Sequence, residues 1–206
     1  GLPLLIGLLY DRPIGGLLWG GFLRVTLVHH FTFFINSLCH YLGKRDYEFD
    51  TTARDSWIAA IFTFGEGYHN YHHKFQWDYR NGIKWYNFDP SKWIIKFLSI
   101  FKITYSLKKV SKQNILKARI NTLNKKIKEV NLNNRYSEKI QIITEDAIKN
   151  LELWKNLELK YKSFKKTKVN KQKKQLYNQK VKLYNLKIQQ SLSALMIIFA
   201  NLKNLN

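Results

Sequence analysis

The chain has 206 residues and a mass of 24.6 kDa, with 35 Lys and Arg against 14 Asp and Glu, a formal net charge of +21. The lone cysteine, Cys39, excludes an intramolecular disulfide framework and a cysteine-rich zinc ribbon, and 10 Gly with 3 Pro are too few for a turn-rich all-β protein. Charge of this size points to nucleic acid or to an anionic membrane face, but residues 1–43 hold only Asp11, Arg12 and Arg24, so the excess lies after them.

Residues 2–10 are apolar and too short to span a bilayer. Asp11-Arg12-Pro13 interrupts them with two charges and a proline suited to the first turn of a helix. Residues 14–42 are apolar with one charge, Arg24, and about 20 residues suffice to cross the hydrocarbon core. The sequence therefore predicts part of one membrane helix, a short turn, and one full returning span. A secretory signal is the alternative. It would need a basic leading region and a small-residue cleavage site; this segment has neither and carries His29, His30, Asn36 and His40. Because Gly1 opens the chain inside an apolar run, we expect a piece of a longer protein. Lys and Arg near span ends are retained on the cytoplasmic side, which places the basic remainder there.

Residues 44–112 are mixed and aromatic-rich, and the last glycine and proline of the chain are Gly82 and Pro90. The 116 residues after Pro90 carry no helix breaker and are rich in Lys, Asn, Leu and Ile. Leu151, Trp154 and Leu157 mark a helical face, and Ile188, Leu192, Leu195, Phe199 and Leu202 step by four and three, a heptad seam. The expected fold is all-α: membrane helices in residues 1–43, a helical cytoplasmic cap in 44–112, and a Lys-rich amphipathic helical tail in 113–206. After Arg80 the only arginines are Arg119 and Arg135. Arginine is the residue suited to base edges and planar stacking, so no nucleic-acid partner is expected. A solvated lysine face leaning on lipid headgroups is the expectation instead.

The six histidines carry the most chemistry. His69-Asn70-Tyr71-His72-His73 places three imidazoles at i, i+3 and i+4, positions that share a helix face. Crowded imidazoles repel one another once protonated, whereas a metal ion uses the neutral rings as ligands, iron and zinc above all. Asn36 and His40 stand four apart near the end of the expected span, and polar groups at membrane depth usually face an interior site. His29 and His30 are read as packing or headgroup residues.

Residues 23–40, ending in Asn36-Ser37-Leu38-Cys39-His40, resemble the last transmembrane helix of the membrane acyl-CoA (stearoyl-CoA type) Δ9 fatty acid desaturases. Gly65-Glu66-Gly67-Tyr68-His69-Asn70-Tyr71-His72-His73 is similar to that family's third histidine box. Phe75 with Asp78-Tyr79-Arg80-Asn81-Gly82, then Asp89-Pro90 and Lys92-Trp93, look like its bacterial branch. The resemblance covers about residues 1–120.

The resemblance implies an integral, multi-pass enzyme with two non-haem irons, using O₂ to insert a cis double bond into a fatty acyl chain delivered as acyl-CoA. It implies His40, His69, His72 and His73 as iron ligands, Asn36 as a ligand through water, and no catalytic residue beyond the metal ligands. Thr32 corresponds to the bend of the acyl tunnel, its alternative being a hydroxyl bonded back to its own helix. Glu66, Asp78 and Arg80 would support the ligands or form surface ion pairs. The family's first two histidine boxes have no residues here, so the remaining ligands would lie outside this chain and the piece alone would be inactive. No haem-binding His-Pro-Gly-Gly motif is present, so the electron donor would be separate, a cytochrome b5 or a ferredoxin. Site and tail would face the cytoplasm, at a bacterial inner membrane or, in a eukaryote, the endoplasmic reticulum. The rival readings are a related di-iron lipid hydroxylase and a membrane-anchored helical scaffold with an incidental metal site.

Overall fold

The computed structural model describes residues 1–130, 136–165 and 171–204. Among these the regular elements are all helical, and strand-like pairing is confined to the isolated bridges Lys44–Asp55 and Asp55–Tyr68. The all-α expectation holds. The chain divides into two compact units, Gly1–Arg45 with Thr51–Lys109, and Asp46–Asp50 with Val110–Asn206.

The first unit opens with α1 (Leu2–Leu8), α2 (Pro13–Gly16), a π-helical segment (Leu17–Leu23) and α3 (Arg24–Tyr41). Proline stands in the first turn of both α1 and α2, where its missing N–H is not needed. Between them Asp11 takes a left-handed φ of 54° and the Arg12 N–H donates to the Gly7 carbonyl at 2.8 Å, closing a tight reversal. Close packing there depends on Gly16, where a Cβ would lie 2.3 Å from the Pro3 carbonyl oxygen. The hairpin expected around Asp11-Arg12-Pro13 is thus present.

The full span is not. No helix among the described residues is long and apolar enough to cross a membrane. Residues 13–41 are helical throughout, but the wider π turns divide the tract, and α3 carries Arg24, His29, His30, Asn36 and His40 among its apolar residues.

α3 stops at Leu42, which is extended, and the chain continues through α4 (Trp57–Phe62), α5 (His69–Lys74) and α6 (Pro90–Ile100). The Ser56 hydroxyl caps α4 by accepting from the Ala59 N–H, and the Asp89 carboxylate caps α6 by accepting from the Lys92 N–H.

The second unit is a bundle of α7 (Lys112–Val130), α8 (Ser137–Lys165) and α9 (Lys171–Asn204). Its core takes Leu116, Ile120 and Ile127 from α7, Ala147, Leu151 and Trp154 from α8, and Ile188, Leu192, Leu195 and Leu202 from α9. The four-three spacing in each helix gathers these side chains on one stripe. The seam expected in α9 is therefore the packed one, with Phe199 partly buried against it. Burial of each Leu or Ile contributes about 1.5–3 kcal/mol, so the bundle has an apolar core of its own.

Candidate metal centre

α3 delivers His40 in its last turn, and α5 delivers His69 and His73 from its first and last turns. His69 Nε2 lies 3.2 Å from His40 Nε2 and 3.1 Å from His73 Nε2. The three ligand nitrogens all fall within 4.8 Å of one another. One ring nitrogen offers either one proton or one lone pair, so His69 Nε2 cannot satisfy both neighbours by hydrogen bonding. A cation satisfies all three. Two nitrogens each about 2.1 Å from a shared ion at ligand angles of about 90–110° lie about 3.0–3.4 Å apart, the separation seen here. The residues fit a metal ion of the kind imidazole binds.

The electrostatics favour the same state. His69 is buried, and that burial, followed by the nearby His73, His40 and His72, pushes its pKa down to about 4. Burial, then His72 and His40, also lowers that of His73. Both rings therefore stay neutral near pH 7, the form that ligates metal.

α5 is held in place from several directions. Gly67 lets its approach press onto α4, since a Cβ there would meet the Ala60 nitrogen at 2.1 Å. The buried Asn70 amide donates to the Ala53 carbonyl at 2.9 Å, and the Asp55 carboxylate accepts the Tyr71 N–H at 3.0 Å. The Tyr71 hydroxyl donates to Asp78 at 2.7 Å, and Asp78 in turn accepts a forked pair from Arg80 at 2.9 and 2.7 Å. Asp78 and Arg80 thus reach the histidine helix through Tyr71.

The segment Thr51–Asp55 is what ties α3 to α5, and nothing in its sequence announces this role. The Thr52 hydroxyl lies 2.8 Å from His40 Nδ1. With Nδ1–H donated to that oxygen, the Nε2 lone pair of His40 faces the other two rings. The Arg54 N–H donates to the Cys39 carbonyl at 2.6 Å, and Asp55 pairs with both Lys44 and Tyr68. A Thr-Thr-Ala-Arg-Asp stretch reads as a polar loop, because its partners are 12 to 17 residues away.

Not every expected residue joins the cluster. His72 is exposed and outside the group of three, its ring centroid 6.3 Å from that of His69 and 6.1 Å from that of His73. At about 100° per residue, i+4 returns to within about 40° of His69 while i+3 falls about 60° short, and His40 approaches on the i+4 side. Asn36 is exposed, one turn before His40. The Thr32 hydroxyl donates to the Val28 carbonyl at 2.9 Å, the back-bonded arrangement. Glu66 is exposed. His30 Nδ1 lies 2.9 Å from the Thr26 carbonyl, and the His29 ring packs beside Phe33 at 6.4 Å.

Comparison with known proteins gives one consistent result. Residues 1–97 match the family model described as fatty acid desaturase. The chain is 50% identical over 127 residues to an acyl-CoA desaturase 1 of Saccharomyces cerevisiae, covering 61% of this chain and 25% of that protein. It is 45% identical over 104 residues to a probable acyl-CoA desaturase of Schizosaccharomyces pombe, covering 50% and 22%. It is 41% identical over 91 residues to an sn-1 stearoyl-lipid 9-desaturase of Synechocystis, covering 44% and 29%. The chain thus spans about a quarter of the length of these relatives. With two fungi and a bacterium among them, they do not single out the bacterial branch.

Proposed function

We propose that this chain supplies part of the iron site of a membrane fatty acid desaturase, an oxidoreductase that introduces a cis double bond into a fatty acyl chain with O₂ as co-substrate. The observation that carries the reading is the convergence of three Nε2 atoms from α3 and α5 at metal-ligand spacing. Chance scaffolding would not bring together the two sequence elements that carry the desaturase resemblance. The three relatives are named desaturases, which favours desaturation over hydroxylation. An acyl-CoA substrate follows the two fungal relatives; the name of the cyanobacterial one points to a lipid-linked chain.

His40, His69 and His73 would hold one iron, and His72, turned to the adjoining side of α5, would serve a second together with ligands outside this chain. Asn36 would reach the metal through water. Iron of this type supplies the O₂ activation that removing hydrogens from unactivated methylenes requires, with electrons from a separate cytochrome b5 or ferredoxin. The task of this chain's residues is to keep the imidazoles neutral and fixed. Thr52 sets the His40 tautomer, and Asn70, Asp55 and the Tyr71–Asp78–Arg80 chain lock the pitch of α5. Thr32, eight residues before His40, is assigned to the acyl tunnel wall on the resemblance alone, and Glu66 to support of the site on the same ground.

We assign residues 1–43 to membrane anchoring, 44–112 to the cytoplasmic cap and 113–206 to an accessory helical tail. Exposed Leu5, Leu9, Trp19 and Phe22 support the anchor, and the basic excess after residue 43 supports the cytoplasmic placement. The test is fatty-acid profiling of a desaturase-deficient host expressing the complete protein. Double-bond formation that vanishes with His69→Ala supports the reading, and full activity in that variant sinks it.

A further inference from the structure

A helix that packs on its own protein turns its apolar stripe inward. α6 does the reverse. Trp93, Ile94, Phe97 and Ile100, continued by Phe101 just past the helix end, stand at i, i+1, i+4, i+7 and i+8, and all five are 42% to 72% exposed. The opposite side is polar and anchored. The buried Lys92 ammonium donates to the carbonyls of Gly82, Lys84 and Asn87 at 2.8, 2.9 and 3.3 Å. The fully buried Asp89 carboxylate accepts from the backbone N–H groups of Asn81, Gly82 and Lys92. Farther along, the Thr104 hydroxyl donates to the Ile95 carbonyl at 2.8 Å. These links fix the rotation of α6, so the outward stripe is a built feature and not a frayed end.

The rim of the stripe is basic. Lys96 and Lys102 are exposed, and from Arg80 to Lys109 the only acid is the buried Asp89. An apolar stripe edged by lysines and carrying the amphipathic ring of Trp93 matches the boundary between phosphate headgroups and acyl chains.

We infer that α6 lies flat in a bilayer surface rich in anionic phospholipid, its stripe among the upper acyl carbons and Lys96 and Lys102 at the phosphates. This deepens the membrane reading above and rests on it. It adds a second, in-plane lipid contact close in sequence to the histidine helix, on the face of α6 turned away from the Lys92 clamp.

The test places a single nitroxide on the protein bound to vesicles of phosphatidylcholine and phosphatidylglycerol, at Ile94→Cys, Phe97→Cys or Phe101→Cys, and at Lys96→Cys as the flank. Native Cys39 is buried and leaves the label to the introduced, exposed positions. The expected pattern is helical: the three stripe positions are about fivefold less accessible to an aqueous nickel chelate than position 96, and more accessible to dissolved oxygen. The double variant Lys96→Glu/Lys102→Glu should abolish that protection at position 97. Stripe positions as open to nickel as position 96, or failure to bind the vesicles, overturn the inference. Equal protection on pure phosphatidylcholine overturns its anionic part, and protection in lipid-free solution that grows with protein concentration assigns the stripe to a second copy instead. Iron binding measured on the same samples reads the histidine site separately, so loss of metal with an intact label pattern would sink the desaturase reading alone.

Discussion

In the α7–α9 bundle, Ile120, Ile127, Ile188 and Leu195 are fully buried, whereas in the histidine-bearing unit Leu9, Trp19, Trp85 and Phe97 are all more than half exposed. The first unit buries only three large apolar rings, Tyr68, Tyr71 and Phe75; the rest of what it buries is small or polar, including Cys39, Ala53, Ala59 and Ala60, with His69, Asn70, Asp78, Asp89 and Lys92. The bundle is organised by non-directional burial, which tolerates exchange of one aliphatic for another. The histidine unit is organised by directional hydrogen bonds, which fix where each ring points and leave apolar surface for an outside solvent. A site that must hold three nitrogens to within a few tenths of an ångström needs the second kind of order.

The comparison breaks first at the metal. His69→Ala should lower Fe²⁺ or Co²⁺ affinity by more than about a hundredfold, beyond what loss of a supporting residue causes. Titration followed by absorbance checks this, with far-UV circular dichroism unchanged because the bundle is untouched. Retained affinity would mean that the nitrogens do not share an ion. Next comes the bundle. Ile120→Ala should cost about 2–5 kcal/mol in urea unfolding of α7–α9 while leaving metal affinity at its original value. A coupled loss of both would show that the two units do not differ as described.

A finer probe is Thr52→Val, which removes the hydroxyl beside His40 Nδ1 at nearly constant volume. Metal affinity should fall about 10- to 100-fold, and unfolding of the bundle should not shift. The smallest effect belongs to the ion pair between Lys125 and Asp50, which is open to solvent on both partners. Lys125→Ala should leave the unfolding midpoint where it was, because exposed pairs contribute little.

Periodicity and residue chemistry determined much of this protein directly. The four-three steps from Ile188 to Leu202 foretell the packed seam, since helical spacing maps onto one face whatever the partner. Asp11-Arg12-Pro13 foretells the hairpin, and the pairing of His40 with a histidine-rich helix follows from residue type. Sequence alone did not separate His73 from His72. Both lie on neighbouring arcs of α5, and which arc binds depends on the direction from which α3 arrives. Nor did it disclose the Thr51–Asp55 strap, whose bonds to His40, Asn70 and Tyr71 join residues far apart in the chain. The same holds for α6: its spacing shows an apolar stripe, but only the Lys92 and Asp89 anchors decide that the stripe faces out. Local pattern fixes which residues share a face, and tertiary contacts fix which way that face is turned.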